Sequence, residues 1–455
     1  MVDLIKTLAE NAAKIQFNDL PPDVVEFSKL CILDSIGVLV AGFDSLGCRT
    51  AVELAKEWGG KPESTILRYG VKAPCPAAAF ANSIFARALD FDSAARPGLH
   101  LNASTIPTAF AVGEMLGSSG KEVITSIAVG EDLALRINRT TNYGITYGGF
   151  DPTGICGVFA TATVAGKLLE SNEEEMHNAL GIAFNRAAGS FQNNVDGCLA
   201  IRYVQGFTAS SGIISAILAK KGVTGPVNVL EGVYGYYNLF SRGKYDRSAV
   251  LEKLGKEFLA PRYTIFKRWP SCGATLSPID GALELKEEYK ISAEDVNEVV
   301  VIVGPYAYNL AGQPFKDAAD PKVKSQFNVQ YGVANVLVRG RPKLEHYTEK
   351  YIFDAKIQNF LPKVKVVEDK SIDTEFKAEV HVKLKSGKIY RKLCGPPKGH
   401  PENPITREDV IVKFHGCVGF SSKPLFDTTI KDILEKVLNL EKVDNIKEII
   451  SLLYE

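Results

Sequence analysis

The sequence predicts a mainly α-helical protein, with a large all-helical domain and a smaller α/β domain inserted before the last helices. Apolar segments with helical spacing fill most of the chain up to about residue 265. Many carry small apolar residues on nearly every face, which is typical of helices that pack closely inside a large domain. After about residue 290 the pattern changes to β-rich runs, and it later returns to helix. We therefore assign residues 1–266 and 404–455 to the helical domain and residues 267–403 to the α/β domain.

Helix starts in the first domain are marked by capping signals and by apolar spacing. Pro22 stands where the first turn of a helix favours proline, and apolar residues continue from Val25 to Ile36. Asn172 is followed by three glutamates, which suit the positive end of a helix dipole. The sequence predicts further helices over residues 77–89, 105–116, 123–137, 153–169, 173–188 and 208–219.

The α/β domain is predicted from β-rich segments. One of them is the run Val296–Val303. Residues 376–385 alternate apolar and polar side chains and then turn into residues 388–393, which is typical of a β-hairpin with one solvent-exposed face. The sequence also predicts helices over residues 327–338, 409–414, 432–438 and 445–454.

The composition narrows the function classes. Among 455 residues, 53 Lys plus Arg balance 53 Asp plus Glu, so no net charge attracts nucleic acid or anionic lipid. The eight cysteines form no Cys-x-x-Cys pair, and no two of the six histidines have metal-ligand spacing. The N-terminus lacks the order of a signal peptide, and the apolar run Ile36–Gly42 is too short to span a bilayer. We expect a cytoplasmic protein without a bound metal, and with neither nucleic acid nor membrane as partner.

The segment from Asp90 to His100 follows an apolar helix and carries four ionisable side chains, Asp90, Asp92, Arg96 and His100. Burying such groups is costly unless they are paired or hydrated, and sites are often built at such places. On a helix Asp90 and Asp92 diverge by about 200°, so both face one ligand only if the helix has ended. We predict that Asp90 is the partner of His100. The alternative is a helix C-terminus whose acids face water and whose His100 caps the next helix.

Residues 147–157 form a glycine-rich turn that enters a helix, with Asp151 and Thr153 at its start. Free backbone N–H groups at such a start hold carboxylate or phosphate groups. Asp151 and Thr153 are equally good helix caps, and the glycines equally allow close packing, so both interpretations stay open. The segment lacks P-loop spacing and follows no strand, which disfavours a nucleotide. Arg202, which follows a polar loop, is a candidate carboxylate clamp.

Further candidates lie near the border between the two domains, where clefts form. Lys267 is a candidate anion ligand, or a base if burial favours its neutral form. Cys272 is either a reactive or a buried thiol. Tyr331, in the predicted helix of the α/β domain, is either a core residue or an acid.

Taken together, the chain resembles the MmgE/PrpD family over nearly its whole length. The resemblance implies a large helical domain, a smaller α/β lid domain, a homodimer, and neither a metal nor an organic cofactor. It also implies a site in the cleft between the domains. The segments that carry the resemblance are Leu33-Asp34-Ser35-Ile36-Gly37, Ala88-Leu89-Asp90-Phe91-Asp92, Phe150-Asp151-Pro152-Thr153-Gly154, Lys267-Arg268-Trp269-Pro270-Ser271-Cys272 and Gln330-Tyr331-Gly332-Val333-Ala334.

Residue by residue, Asp90, His100, Lys267 and Tyr331 match positions of the family's active-site motifs. Other positions depart from the dehydratase and decarboxylase members of the family. The departures are Ala94 for threonine, Arg96 for histidine, Asp151 for histidine, Arg202 for lysine, and Gln205 and Leu276 for two more histidines. Several proton carriers are therefore missing, while one cationic clamp is kept as arginine.

The chemistry common to the family moves a proton at a carbon next to a carboxylate, which requires cations on the carboxylate and a base near the C–H bond. We expect Arg202 and Lys267 to hold the carboxylates of a small anionic substrate. His100, oriented by Asp90, takes the proton in this hypothesis, with Tyr331 as the acid. The further candidate substrate contacts are Arg96, Asp151, Thr153 and Cys272.

Dehydration of a small di- or tricarboxylate is the leading expectation, because dehydratases are prominent in the resemblance. Epimerisation or racemisation of a dicarboxylate comes second, since it needs only one proton carrier on each face of the substrate. Decarboxylation comes third. Outside the enzymes, the alternative is a binding protein that has kept the fold and lost the chemistry.

Overall fold

The computed structural model describes residues 3–96, 98–141, 148–316 and 320–454. Pro97 and Tyr147, which belong to two candidate loops, lie outside the described residues. The protein is mainly α-helical with small sheets, as the sequence predicts. None of the helices in the described ranges combines the length and the apolar character needed to cross a membrane.

The described residues in the first part of the chain are helical apart from two short antiparallel strand pairs. Its elements are α1 (Leu4–Lys14), α2 (Pro22–Gly42), α3 (Cys48–Trp58), β1 (Ser64–Ile66), β2 (Val71–Ala73), α4 (Cys75–Arg87), β3 (Ala94–Ala95), α5 (Asn102–Leu116), α6 (Gly120–Arg139), α7 (Pro152–Leu168), α8 (Glu173–Phe184), α9 (Gln192–Asp196), α10 (Ala200–Lys220), α11 (Tyr236–Ser241), α12 (Arg247–Val250), α13 (Ala260–Tyr263) and β4 (Thr264–Ile265). β1 pairs antiparallel with β2, and β3 pairs antiparallel with β4.

The second part contains a four-stranded sheet with helices around it. Its elements are α14 (Gly273–Tyr289), β5 (Val296–Val303), α15 (Pro305–Ala311), α16 (Pro321–Gln326), α17 (Val329–Arg339), α18 (Glu349–Ile352), α19 (Ala355–Phe360), β6 (Val364–Glu368), β7 (Ala378–Leu384) and β8 (Ile389–Cys394). The strand order is β6-β5-β7-β8, with β5 parallel to β6 and antiparallel to β7. The chain ends in α20 (Arg407–Phe420), α21 (Asp427–Leu438) and α22 (Lys447–Leu452), and α20 packs against α2.

The predicted strand Val296–Val303 and the predicted hairpin are both confirmed. The sequence does not predict β6, because its short run of Val and Lys ends in Glu368 and lacks a clear period. It also placed the start of α10 at residue 208, whereas the helix begins at Ala200. Arg202 and Gln205 in that first stretch are buried although polar, so apolar spacing underestimates the helix.

The buried apolar side chains form two main clusters. One cluster runs from Leu4 to Phe266 and continues from Val410 to Leu453. The other contains residues from Trp269 to Cys394, together with Ile201. The division into domains of residues 1–266 with 404–455 and residues 267–403 stays a proposal.

Helices in the first part approach each other closely, as small residues on their faces allow. A Cβ atom on Gly212 of α10 would lie 2.2 Å from the Thr161 hydroxyl of α7. This packing fixes α7 and α10, which both carry residues that surround the candidate site.

Candidate active site

The candidate site begins where α4 ends. The helix stops at Arg87, and Asp90 has a left-handed backbone with φ of +48°. A left-handed conformation is uncommon outside glycine, although aspartate tolerates it better than most residues. This reversal breaks the helical spacing, so that the carboxylates of Asp90 and Asp92 both reach the Arg87 side chain.

A buried cluster of two acids and two cations results. The Arg87 guanidinium donates to Asp90 Oδ1 and, at 3.3 Å, to Asp92 Oδ1. Lys267 Nζ lies 2.9 Å from Asp90 Oδ1 and 2.9 Å from the Asp90 carbonyl oxygen. All four side chains are almost fully buried, and their formal charges cancel. Asp90 Oδ2 has no hydrogen-bond partner among the described residues.

His100 is oriented by Asp92. Its Nδ1 lies 2.8 Å from Asp92 Oδ2, so the sequence-based prediction that Asp90 is its partner is wrong. The cause is the backbone reversal, which directs Asp90 towards Lys267. With Nδ1 bonded to a carboxylate, the neutral ring keeps the lone pair on Nε2. Within the described residues, Nε2 makes no hydrogen bond.

The electrostatics of the cluster favour a neutral imidazole. Burial lowers the pKa of His100, and the Arg87 charge lowers it further, against the opposing effect of Asp92. Burial by itself raises the pKa of Asp92, but Arg87 and His100 together hold it well below its usual range. A neutral histidine beside an ionised aspartate is the arrangement that a general base requires.

A small cavity of about 40 Å³ lies in front of His100. Lys267, Cys272 and Arg96 also line it, together with Glu375 from the segment before β7. A cavity of this size holds about three water molecules at most. The site therefore brings a base and two cations to one small volume.

Asp151 and Thr153 lie behind His100 and do not line this cavity in the described part of the chain. Asp151 caps α7 by accepting a hydrogen bond from the Thr153 N–H at 2.9 Å. The Thr153 hydroxyl in turn accepts the His100 backbone N–H at 3.0 Å. A Cβ atom on Gly154 would lie 1.9 Å from the Ala188 carbonyl oxygen, so this glycine serves close packing. The turn therefore positions His100. The Thr153 N–H already donates to Asp151 and is not free for a ligand.

The structure does not bring Arg202 or Tyr331 to the cavity. Arg202 is buried in α10 and donates to the Leu46 carbonyl oxygen at 2.7 Å. Tyr331 is fully buried in α17, and its hydroxyl donates to the His346 carbonyl oxygen. Burial raises the pKa of Tyr331 to about 12, which disfavours a role in proton transfer. In this arrangement both side chains serve packing and backbone hydrogen bonds.

Arg96 and Cys272 do line the cavity, with different surroundings. Cys272 precedes α14, and burial raises the pKa of its thiol to about 12, so it stays protonated. Arg96 lies at the outer wall, with its Nε 3.1 Å from Glu375 Oε1 and its Nη1 3.3 Å from His400 Nε2.

Sequence reasoning missed Arg87 and Glu375. Arg87 had a detectable signal, because it is a charged residue inside the otherwise apolar segment 77–89. Glu375 had none, since it lies in a polar stretch before β7 and meets Arg96 only through the tertiary fold.

Ligand atoms of Asp90, Asp92 and His100 lie within 4.8 Å of one another, which is a spacing that a cation could use. Asp90 Oδ1 contacts Arg87 and Lys267, Asp92 Oδ1 contacts Arg87, and Asp92 Oδ2 contacts the imidazole, whereas Asp90 Oδ2 has no partner among the described residues. The protein's own cations, Arg87 and Lys267, thus already neutralise the two carboxylates of this cluster.

Comparison with known proteins gives a consistent family assignment. Cis-aconitate decarboxylase of Aspergillus terreus is 25% identical over 471 aligned residues, which cover 97% of this chain and 94% of that protein. Cis-aconitate decarboxylase of Mus musculus is 23% identical over 462 residues, covering 97% and 92%. The mitochondrial 2-methylcitrate dehydratase of Yarrowia lipolytica is 24% identical over 276 residues, covering 55% and 50%.

The family models extend over both parts of the chain. The model of the MmgE/PrpD N-terminal domain matches residues 6–248 and includes the segment with Asp90, Asp92 and His100. The model of the MmgE/PrpD C-terminal domain matches residues 269–438. On this match, the chain belongs to the MmgE/PrpD family.

Proposed function

We propose that this protein is a lyase that acts on a small di- or tricarboxylate by removing a proton next to a carboxylate. The observation that carries the proposal is the cavity that His100 and Lys267 both line, where Asp92 holds a neutral imidazole and Asp90 holds the lysine. Family membership and the carboxylate named for each relative above support the substrate class.

Dehydration is the leading reaction. His100 Nε2 accepts the proton as the C–H bond breaks, and the Lys267 ammonium and the Arg96 guanidinium stabilise the negative charge on the adjacent carboxylate. The C–O bond then breaks, and the leaving hydroxide takes a proton from Lys267 to form water while the C=C bond forms. His100 returns its proton to solvent and Lys267 regains one, so the cycle needs no redox partner.

Two other reactions use the same groups. Epimerisation requires a proton carrier on each face of the carbon, and His100 and Lys267 are two candidate carriers at one cavity. Decarboxylation is supported by the cis-aconitate decarboxylases that align over nearly the whole chain. Ala94 and Leu276 line the cavity at positions where the family resemblance predicts a threonine and a histidine. These two differences argue against the relatives' own substrates as substrates of this protein.

The experiment incubates the protein with a panel of hydroxy, unsaturated and saturated di- and tricarboxylates in deuterated water, with NMR detection. Water loss, deuterium exchange with inversion, or release of carbon dioxide distinguishes the three reactions. We expect His100→Asn to slow the reaction by about 10²–10⁴-fold, the usual contribution of a general base. His415→Asn is the control, because His415 is exposed on α20 and outside the cavity. No reaction with any member of the panel would leave only a binding role.

The cytoplasmic location stays a prediction from the sequence.

We also propose that the protein forms a homodimer. Phe207 on α10 is 59% exposed and Trp58 on α3 is 53% exposed, and both rings contact Phe80. Ile214 lies two turns further along α10 and is also exposed. Such a contiguous apolar surface is typical of an interaction site. Light scattering of Phe207→Ser is expected to show monomers, whereas the control Phe426→Ser, at an exposed residue elsewhere, stays dimeric.

A further inference from the structure

The cavity at His100 is too small for the proposed substrate. Its volume of about 40 Å³ is well below the hundreds of Å³ typical of ligand pockets. Lys267 also lines a larger cleft of about 900 Å³, whereas His100 lines the small cavity. A di- or tricarboxylate therefore reaches His100 only after part of the cavity wall has moved.

One part of the wall separates the cavity from a surface cleft. Arg96, Tyr306 and Glu375 line both the cavity and a cleft of about 550 Å³ on its other side. These residues are the partition between the enclosed site and the surface. The partition joins the two parts of the protein, because Arg96 follows β3 and Glu375 precedes β7.

The Arg96 side chain holds the partition closed. Its Nε lies 3.1 Å from Glu375 Oε1, and its Nη2 lies 3.5 Å from the Thr374 hydroxyl. Its guanidinium also lies 4.9 Å from the centre of the Phe376 ring. Removing Glu375 from Arg96 therefore loosens the contact between Arg96, which follows β3, and the segment that leads into β7.

A substrate carboxylate carries the same group as Glu375 and competes for the same guanidinium. Glu375 is 13% exposed, and an unpaired carboxylate at such a position is costly. The cleft offers a second set of cations, because Arg139 and Arg262 line it. Arg139 Nε is a buried donor with no hydrogen-bond partner among the described residues. A Glu375 side chain that leaves Arg96 thus still lies at a cleft that contains two further arginines.

We propose that Arg96 and Glu375 form a carboxylate-exchange gate, in which a substrate carboxylate replaces Glu375 on Arg96 and thereby opens the partition between cleft and cavity. This inference rests on the proposed function for the identity of the ligand. Glu375 is then a specificity-determining residue, because it is displaced only by an anion that binds a guanidinium in the way a carboxylate does. Arg96 then has two roles: it holds the partition closed through Glu375, and it is the first residue to bind the substrate.

The first test measures binding of succinate and citrate to the whole protein by calorimetry and stopped-flow mixing. Glu375→Gln removes the competing charge and keeps the shape of the side chain. We expect about fivefold tighter binding and a faster association rate, the factor that a partly exposed ion pair is worth. Glu402→Gln is the matched control, because Glu402 lines the same cleft and makes no ion pair with Arg96 in the described structure. Arg96→Gln is expected to abolish the gain in affinity and in association rate that Glu375→Gln produces.

The second test does not depend on any ligand. Cys272 lines the cavity and is buried, so its alkylation by a small reagent reports opening. Mass spectrometry of the peptide that contains Cys272 is expected to show faster labelling in Glu375→Gln and in Glu375→Ala than in Glu402→Gln and the unmodified protein. A labelling rate unchanged by both Glu375 variants would overturn the gate.

The two failures are distinguishable. If the unmodified protein binds carboxylates and Glu375→Gln changes neither the affinity nor the association rate, the gate is overturned and the proposed function stands. If no variant binds any carboxylate, the proposed function and the exchange by substrate are overturned together. Labelling of Cys272 then still shows whether the Arg96–Glu375 pair closes the cavity.

Discussion

Asp92 Oδ2 lies 2.8 Å from His100 Nδ1, and this hydrogen bond fixes both the orientation of the imidazole and the nitrogen that faces the cavity. Asp90, two residues earlier, instead pairs with Lys267. One short segment thus supplies a separate carboxylate to the proposed base and to the proposed acid. The same Arg87 contacts both carboxylates and couples the two pairs.

Asp92→Asn is expected to reduce kcat by about 10²–10⁴-fold, because an amide in place of the carboxylate no longer stabilises the imidazolium and favours the wrong tautomer. The measurement is deuterium exchange or turnover on the best substrate, with circular dichroism to verify the fold. Asp44→Asn, at an exposed position, is the control. A kcat unchanged in Asp92→Asn would show that His100 is not the base.

The pH dependence of activity should reflect the lowered pKa of His100. Burial and then Arg87 lower this pKa, so activity is expected to fall on the acid side only below the ordinary histidine range. Neutral His100 contributes stability that is present above its unfolded pKa and is lost as the pH falls through its folded pKa. Arg87→Met is expected to move the acid limb to higher pH, and Arg87→Lys to move it less. NMR titration of His100 in both variants measures the same shift without substrate, and an unchanged titration would contradict the role of Arg87.

Lys267→Met is expected to destabilise the protein by about 3 kcal/mol, because it leaves the Asp90 carboxylate buried with Arg87 alone. Adding Asp90→Asn in the same protein should recover part of this loss, since the uncompensated charge is then absent. Urea unfolding of both single variants and of the double variant gives the coupling. Strictly additive losses would show that the two residues do not form an interacting pair.

Glu131→Gln is expected to raise the free energy of unfolding above that of the unmodified protein by more at pH 8 than at pH 5. Glu131 is buried in α6 with the Thr105 hydroxyl 2.8 Å away, and burial raises its pKa to about 7. A raised carboxyl pKa means that the folded state holds a proton that the unfolded chain releases, so stability falls as the pH rises from 4.5 to 7. The penalty at pH 8 is about 3 kcal/mol. Thermal unfolding at both pH values tests this, with the exposed Glu174→Gln as control.

Chelation is expected to leave the activity unchanged. Arg87 and Lys267 already neutralise the Asp90 and Asp92 carboxylates, so the proposed chemistry uses no divalent ion. Turnover is compared before and after prolonged treatment with EDTA, and again after addition of Mg²⁺, Mn²⁺ or Zn²⁺. Loss of activity that one of these ions restores would assign a metal to Asp90, Asp92 and His100.

Local patterns were sufficient for much of the fold. The alternation in 376–385 indicates a strand with one wet face, and Val296–Val303 begins and ends where predicted. Local patterns do not predict the start of a helix where buried polar residues replace apolar ones, as Arg202 and Gln205 do near the start of α10. Spacing identifies a face only when that face is apolar.

By itself, the sequence determined the fold class, the family resemblance and the segment that carries the ionisable cluster. Only the tertiary structure decided that Asp92 rather than Asp90 orients His100, that Tyr331 bonds to a backbone carbonyl, and that Arg96 meets Glu375. The reason is physical. Helical and strand periods depend on neighbours along the chain, whereas the partner of a buried charge depends on which opposite charge the folded backbone brings within a few ångströms and removes from water.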